Sequence, residues 1–237
     1  MPAFRRFSPI TAIACAVFSS TSLFADFKLP DPLPSTPYRI AFVTSEGTTA
    51  PTAPPAAQSF TIADANQWVT NHRPADPRLA GLTWTAIAST PLVNAKTNTS
   101  TRPGIDDTYP IYNTRGELIA TGNADLWANT PLTKPIVYDE LGNTSSFAAA
   151  WTGSNDDGTA SSSPLGANPA RATYGNITSI SYWANSTMTA PPNSNSYPLY
   201  GLSSPIDVPE PATASLLVTG LLGLGGVLSW RWRGAKV

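Results

Sequence analysis

The stretch TIADANQWVTNHRP, residues 61–74, carries the one clear helical pattern in a chain otherwise made of short apolar runs. Thr61 and Asp64 have the spacing of a capping-box-like helix start. Apolar side chains then recur every three or four residues. Pro74 lacks an amide hydrogen and cannot continue a helix. The pattern therefore predicts a single amphipathic helix over residues 62–73.

Runs rich in β-branched and aromatic residues lie on both sides of this helix and predict short strands. The first covers residues 38–45 and the next residues 82–88. A tight turn at Arg115-Gly116 joins two more short strands, and the last expected strand covers residues 197–202. One N-terminal helix, several short strands and long polar loops predict an α+β fold with a small, twisted antiparallel sheet.

The composition excludes some classes of function. Of the 237 residues, 41% are hydrophobic and 12% are charged, with a net charge of −1. Lysine and arginine are scattered through the central part of the chain, which argues against nucleic-acid binding. The single cysteine, Cys15, lies near the start, and the single histidine is His72. The central part therefore cannot form a disulfide or a metal site with several histidine ligands.

The first residues have the three parts of a secretory signal. Arg5 and Arg6 precede an apolar run at residues 10–18, and small residues follow it. Residues 1–25 are therefore predicted to be a signal peptide, which makes the Sec translocon an expected partner. Two alternatives remain open, an uncleaved N-terminal anchor and a lipoprotein attached through Cys15.

The other end contains a hydrophobic segment between distinctive flanks. The motif Pro209-Glu210-Pro211 precedes Ala212–Trp230, which contains no charged residue. A helix of that length spans roughly 28 Å, about one hydrocarbon core. Arg231 and Arg233 follow it and should stay cytoplasmic. A separate C-terminal transmembrane helix is expected over residues 212–230.

Residues 206–237 resemble the PEP-CTERM sorting signal, which combines a Pro-Glu-Pro motif, a transmembrane helix and an arginine-rich end. The resemblance implies that a membrane-embedded transpeptidase, an exosortase, processes the tail, with Pro209, Glu210, Pro211, Arg231 and Arg233 as the sorting motif. It also implies a Gram-negative-type envelope and an association with exopolysaccharide. We therefore expect a membrane-anchored precursor that ends at the cell surface or in the extracellular matrix. An ordinary single-pass tail anchor is the alternative.

The central part divides into a proline-rich linker at residues 26–37 and one domain at residues 38–205. The domain carries an ordered set of motifs: Phe42–Ser45, Ala63–Ala65, Tyr112 with Gly116 and Ala120, Gly122–Leu126, Ala150–Thr159 and Leu199-Tyr200. Together they resemble a bacterial extracellular family of unknown function, related to the endostatin-like branch of C-type-lectin-like folds. The resemblance implies a C-type-lectin-like extracellular domain. Many relatives carry cysteines that this chain lacks.

Several side chains are candidates for ligand binding. Asn155, Asp156 and Asp157 could supply oxygen ligands for Ca²⁺, or could form a turn with the following glycine. The acid pairs Asp106-Asp107 and Asp139-Glu140 could likewise bind a cation, and the alternative, which is expected, is that they are solvated loop charges.

Tryptophans are the second group of candidates. Trp183 lies beside Tyr182 in a long polar loop and is the candidate for an exposed sugar-binding face, with burial the alternative. Trp68, Trp84 and Trp151 are expected in the core because they lie in periodic or strand-like stretches.

No catalytic residue is expected. The chain has no Gly-x-Ser-x-Gly elbow, and His72 sits at the end of the predicted helix. The sequence predicts a non-catalytic, lectin-like domain for ligand binding or adhesion, which needs no cofactor unless Ca²⁺ binds. An exopolysaccharide or surface glycan is the expected ligand. An extracellular enzyme acting on polysaccharide and a purely structural coat component are the alternatives.

Overall fold

A computed structural model describes residues 27–49, 60–167, 171–186 and 196–208. The predicted signal peptide, the sorting motif at Pro209-Glu210-Pro211, Arg231 and Arg233, and the predicted span at residues 212–230 lie outside these residues. Within the four described ranges, no helix combines the length and the apolar character that crossing a bilayer requires.

The described residues form a mixture of short strands and short helices, so the α+β class is confirmed. In chain order the elements are β1 (Arg39–Val43), β2 (Thr48–Thr49), α1 (Ile62–Asn71), a 3-10 turn (Pro77–Leu79), β3 (Trp84–Ala86), α2 (Ala95–Asn98), β4 (Ile111–Asn113), β5 (Leu118–Ala120), α3 (Asn123–Leu126), β6 (Ala149–Trp151), β7 (Tyr174–Asn176), β8 (Ser196–Tyr197) and β9 (Tyr200–Ser203). The predicted N-terminal helix is present as α1, and the described residues contain two more helices, α2 and α3, which are single turns too short to show a helical period.

Five strands form the main sheet in the order β3-β9-β1-β4-β5. Ala41 of β1 lies opposite Leu202 of the antiparallel β9, whereas Arg39 of β1 pairs in parallel with Ile111 of β4. The prediction of a purely antiparallel sheet was therefore wrong. A parallel pair needs a long crossover connection, and the chain between β1 and β4 supplies one that contains α1, β3 and α2.

Helix α1 begins with the predicted capping box. The Thr61 amide donates to Asp64 Oδ2 at 2.8 Å, and the Asp64 amide donates to Thr61 Oγ1 at 3.3 Å. The buried side chains of α1 face β3 and β9. A Cβ atom at Gly201 would overlap the Phe42 ring and lie 2.6 Å from Val69 of the helix. The glycine in β9 therefore lets the helix pack closely on the sheet.

The main sheet has apolar clusters on both of its faces. In β1, Ile40 and Phe42 belong to the cluster that includes Val69 of α1, whereas Ala41 and Val43 belong to the cluster on the opposite face. Successive side chains of a strand point to opposite faces. All of β1 is buried, and its apolar run Ile40–Val43 reflects two covered faces.

Asp139 and Glu140 are buried, so the expectation of a solvated acid pair was wrong for them. Two backbone amides, of Leu141 and Asn143, donate to Asp139 Oδ1 and fix a turn. The Ser45 amide donates to Glu140 Oε2 at 2.9 Å, and the Ser45 hydroxyl donates to Oε1. Burial raises the pKa of Glu140, and these hydrogen bonds oppose the effect without cancelling it.

Replacing Glu140 by glutamine is expected to stabilise the protein at neutral pH. Because the pKa of Glu140 is higher in the folded protein than in the unfolded chain, its carboxyl group loses its proton at a lower pH when the chain is unfolded. The free energy of unfolding therefore falls as the pH rises from the unfolded-state pKa to the folded-state pKa. The amide of Glu140→Gln keeps both contacts with Ser45 and carries no charge. Denaturant midpoints should rise above wild type at pH 7 and converge with it below the ordinary pKa of glutamate. The exposed Glu46→Gln is the control, and a lower midpoint for Glu140→Gln at pH 7 would contradict the assignment.

Candidate functional site

The stretch from Asn155 to Thr159 forms a tight turn directly after β6. The Asn155 amide donates to the Thr159 carbonyl at 2.9 Å, and the Gly158 amide donates to the Asn155 carbonyl at 3.0 Å. Gly158 has a φ of +75°, a conformation that favours glycine. The turn interpretation of these residues is therefore confirmed.

The turn is held against its neighbours. The Lys96 amide of α2 donates to the Gly158 carbonyl at 3.2 Å, and the Ala160 amide donates to Asn94 Oδ1 at 2.8 Å. A Cβ atom at Gly158 would lie 2.8 Å from the Trp127 ring. The backbone of the turn therefore rests on a buried tryptophan, and its outer side chains have a fixed support.

The two aspartates of the turn have different partners. Asp157 Oδ1 accepts from the amide and the hydroxyl of Thr159, at 2.9 and 2.5 Å, and Asp156 Oδ1 accepts from the Asn185 amide at 3.1 Å. Burial raises the pKa of Asp156. Burial also acts to raise the pKa of Asp157, but the hydrogen bonds from Thr159 and the charge of Lys96 together outweigh it and lower that pKa. The described part of the chain contains no cluster of three or more His, Cys, Asp and Glu side chains suited to a metal ion.

Asn185 reaches the turn from a distant part of the sequence. Its side-chain nitrogen donates to Asn155 Oδ1 at 3.3 Å. Asn155 in turn donates from Nδ2 to Thr159 Oγ1 and to the Ala160 carbonyl, each at 3.1 Å. The two asparagines thus connect the turn to the chain that follows β7.

A polar groove opens along these two asparagines. We call it the amide groove, and its deeper part, about 200 Å³ in volume, is lined by Asn155, Ser161, Ser162, Ser163, Arg171, Thr173, Tyr174, Asn185 and Ser186. Asn155 and Asn185 also line a shallower part of about 420 Å³, together with Asn129, Asp156 and Asp157. The lining thus combines amides, hydroxyls, two carboxylates, one guanidinium and one aromatic ring. A ligand that offers many hydroxyl groups could satisfy such a surface.

Trp183 does not lie on this groove, and the candidate role of an exposed sugar-binding face was wrong for it. Its side chain is only 2% exposed and packs against Trp127 and Tyr200, with ring centroids 5.5 and 6.0 Å away. The neighbouring Tyr182 is the exposed aromatic residue of this segment. Burial of Trp183 follows from Gly175 in β7, which has no side chain to hold the Trp183 backbone away.

The other tryptophans divide between core and surface. Trp84 and Trp151 are buried as predicted, whereas Trp68 is only partly buried and lies beside His72, with ring centroids 4.6 Å apart. His72 Nδ1 lies 2.8 Å from the Trp68 carbonyl oxygen, and Nε2 lies 3.5 Å from Glu46. The histidine therefore has partners on α1 and on the loop after β1, away from the amide groove.

Most of the groove lining was not singled out from the sequence. Asn155, Asp156 and Asp157 were candidates, and the structure does bring them to one surface. Ser161–Ser163, Arg171, Tyr174 and Asn185 come from three segments that only the folded chain brings together. The one available signal was the high polarity of residues 152–186.

The chain matches no known protein-family model, and it shows no significant similarity to any curated protein.

Proposed function

We propose that this chain is an exported, exosortase-sorted surface or matrix protein whose lectin-like central domain binds a glycan at the amide groove without catalysing a reaction. The observation that carries the glycan assignment is the lining of the groove. Side-chain amides and hydroxyls can both donate and accept, which matches the hydroxyl groups of a sugar.

An aromatic ring and a stable backbone add to this argument. Tyr174 lines the deeper part of the groove and stacks on Tyr197, with ring centroids 5.8 Å apart and planes inclined by 26°. Ser161 and Thr173 are joined across the groove wall by a hydrogen bond of 2.7 Å between their hydroxyls. A wall fixed in advance loses little conformational entropy when a ligand binds.

We include no cation in the proposed site. The Oδ1 atoms of Asp156, Asp157 and Asn155 already accept hydrogen bonds from neighbouring groups. A Ca²⁺ ion usually takes six to eight oxygen ligands, and the described part of the chain does not gather three or more His, Cys, Asp and Glu side chains at this turn. Binding is therefore expected to be the same with and without EDTA.

Glycan binding is tested with the full chain in detergent micelles, on a glycan array and on exopolysaccharide from the source cells. The variant Asn185→Ala removes one amide from both parts of the groove and should weaken binding roughly fivefold, about 1 kcal/mol for one hydrogen bond. Asn143→Ala changes an exposed asparagine outside the groove lining and should bind as wild type does.

The outcomes of that experiment separate the three functions. Binding that is weakened by Asn185→Ala without release of sugar supports the proposal. Released oligosaccharides would instead establish the polysaccharide-acting enzyme. Failure to bind any glycan, combined with ordered self-assembly on the cell surface, would establish the structural coat component.

We propose that the C-terminal sorting motif directs the protein to the cell surface. Replacing Pro209, Glu210 and Pro211 together by alanine should leave the protein in the membrane as an unprocessed precursor, because the transpeptidase would lack its recognition motif. Cell fractionation and the mass of the surface-exposed product measure this. A matched triple replacement of the exposed loop prolines Pro91, Pro103 and Pro131 should not change fractionation. A tail variant that reaches the surface at the wild-type mass would contradict exosortase processing.

A further inference from the structure

The described domain ends beside an apolar groove of about 280 Å³, which we call the exit groove. Its apolar lining comes from Leu29 and Leu33 in the first described segment, from Leu79 in the 3-10 turn, and from Ile206 and Val208 at the last described residues. The segments at both ends of the described domain therefore build the same surface.

Backbone contacts hold this groove in shape. Tyr38 and Ile206 exchange two hydrogen bonds, of 3.2 and 2.8 Å, and the Lys28 amide donates to the Thr114 carbonyl at 2.8 Å. A Cβ atom at Gly116 would lie 2.7 Å from the Leu29 carbonyl oxygen, so the first segment packs directly on the turn between β4 and β5. The groove is consequently part of the folded domain.

The exit groove presents apolar surface with little net charge. Leu33 is 54% exposed. Arg78 lies at the rim, and its guanidinium pairs with Asp76 at 2.6 Å. Asp207 is the other charged residue of the lining. A mainly apolar surface with so few charges fits the region of a bilayer between the headgroups and the acyl chains.

The point at which the chain leaves the described domain indicates what would cover the exit groove. Val208 lines the groove, and only Pro209-Glu210-Pro211 separates it from the uncharged stretch that begins at Ala212. Four Cα–Cα steps reach at most about 14 Å. A membrane span that starts at residue 212 would therefore keep Val208 within about 14 Å of the hydrocarbon core, so the exit groove can rest on the headgroup region.

We propose that the exit groove, with Leu33 at its edge, lies on the lipid surface while the chain is anchored by residues 212–230. This inference rests on the membrane-anchored precursor of the proposed function. It gives the domain a defined orientation, with the exit groove toward the bilayer. Because the charged residues of the lining are one arginine, Arg78, and one aspartate, Asp207, the groove has no excess of positive charge, and attachment should not be stronger on anionic than on zwitterionic vesicles.

Fluorescence quenching tests the orientation with the full chain. Cys15→Ser leaves no cysteine, so Leu33→Cys then carries a single environment-sensitive label after reconstitution into phosphatidylcholine vesicles. Lipids with a nitroxide near the headgroup should quench this label. A label at Leu92→Cys, on an exposed leucine outside the exit groove, should keep its fluorescence. Ser35→Cys is a second exposed label site near Leu33 if the first variant does not fold.

Each outcome decides the question. Quenching at residue 33 and not at residue 92 supports the inference. Equal quenching at both sites, or quenching at neither in protein that floats with the vesicles, overturns the inference and leaves the anchored precursor intact. Energy transfer between labels at residue 33 of two copies in detergent would show that a second copy covers the groove, and would also overturn it. If the protein does not float with the vesicles, both the predicted membrane span and this inference are contradicted.

Discussion

Replacing Gly175 by alanine is expected to unfold the ladder of β6 and β7 and to abolish glycan binding. A Cβ atom at this position would overlap the carbonyl oxygen of Trp183 and crowd the amide nitrogen of Ala184 at 3.0 Å. These are backbone atoms and cannot rotate away as a side chain can. The strand and the Trp183 segment must separate, and Asn185 would move with them out of the amide groove. The cost should be roughly 3 kcal/mol or more, at the upper end for overpacked sites.

Denaturant unfolding of the full chain in micelles, followed by circular dichroism, measures the loss. Gly104→Ala is the control, because Gly104 has a φ of +72° and no atom within 4 Å of its added Cβ. That variant should cost only about 1 kcal/mol for backbone strain. If Gly175→Ala unfolded at the same denaturant concentration as Gly104→Ala, the close approach between β7 and the Trp183 backbone would be disproved.

Replacing Trp151 by alanine is expected to cost about 4 kcal/mol of unfolding free energy, typical for a buried tryptophan. Trp151 is fully buried in β6 and meets the Tyr197 ring edge-on, with centroids 5.0 Å apart. Its indole nitrogen donates to the Thr48 carbonyl at 3.2 Å, and its amide donates to the Pro198 carbonyl at 2.8 Å. The side chain thus joins β6 to β2 and to the chain before β9.

Two further substitutions grade this loss. Trp151→Phe keeps a ring in the core and loses the hydrogen bond to Thr48, so about 1 to 2 kcal/mol should be lost. Trp68→Ala removes a partly exposed indole from α1 and should cost less than Trp151→Ala. Similar midpoints for Trp68→Ala and Trp151→Ala would contradict the packing that the structure assigns to β6.

The features that could be predicted from the sequence are local ones. The capping box of Thr61 and Asp64, the helix that follows it, and the hairpin around Gly116 depend on residues a few positions apart. Their signals are therefore complete within a short stretch of chain. The helix ends at Asn71, two residues before its predicted end.

The features that were missed depend on contacts between distant segments. The parallel pairing of β1 with β4 is set by tertiary packing, which neither strand reveals alone. Burial of Trp183 depends on the missing side chain at Gly175, and polar neighbours in the sequence gave the opposite indication. The amide groove likewise needs Asn185, which lies 30 positions after Asn155. A single sequence does not show which distant segments come into contact.

The position of β9 has a consequence for the order of events during biogenesis. The final strand, Tyr200–Ser203, lies inside the main sheet between β3 and β1. Neither neighbour can complete its pairing until the last described residues are present, and such non-local pairings form slowly. On the proposed route through the Sec translocon, the N-terminal part would emerge first, and β1 and β3 would remain without β9 between them until the end of the domain emerges. If the chain is exported in this way, the position of β9 would delay completion of the sheet until translocation of the domain is nearly finished, and the chain would stay unfolded for most of its passage.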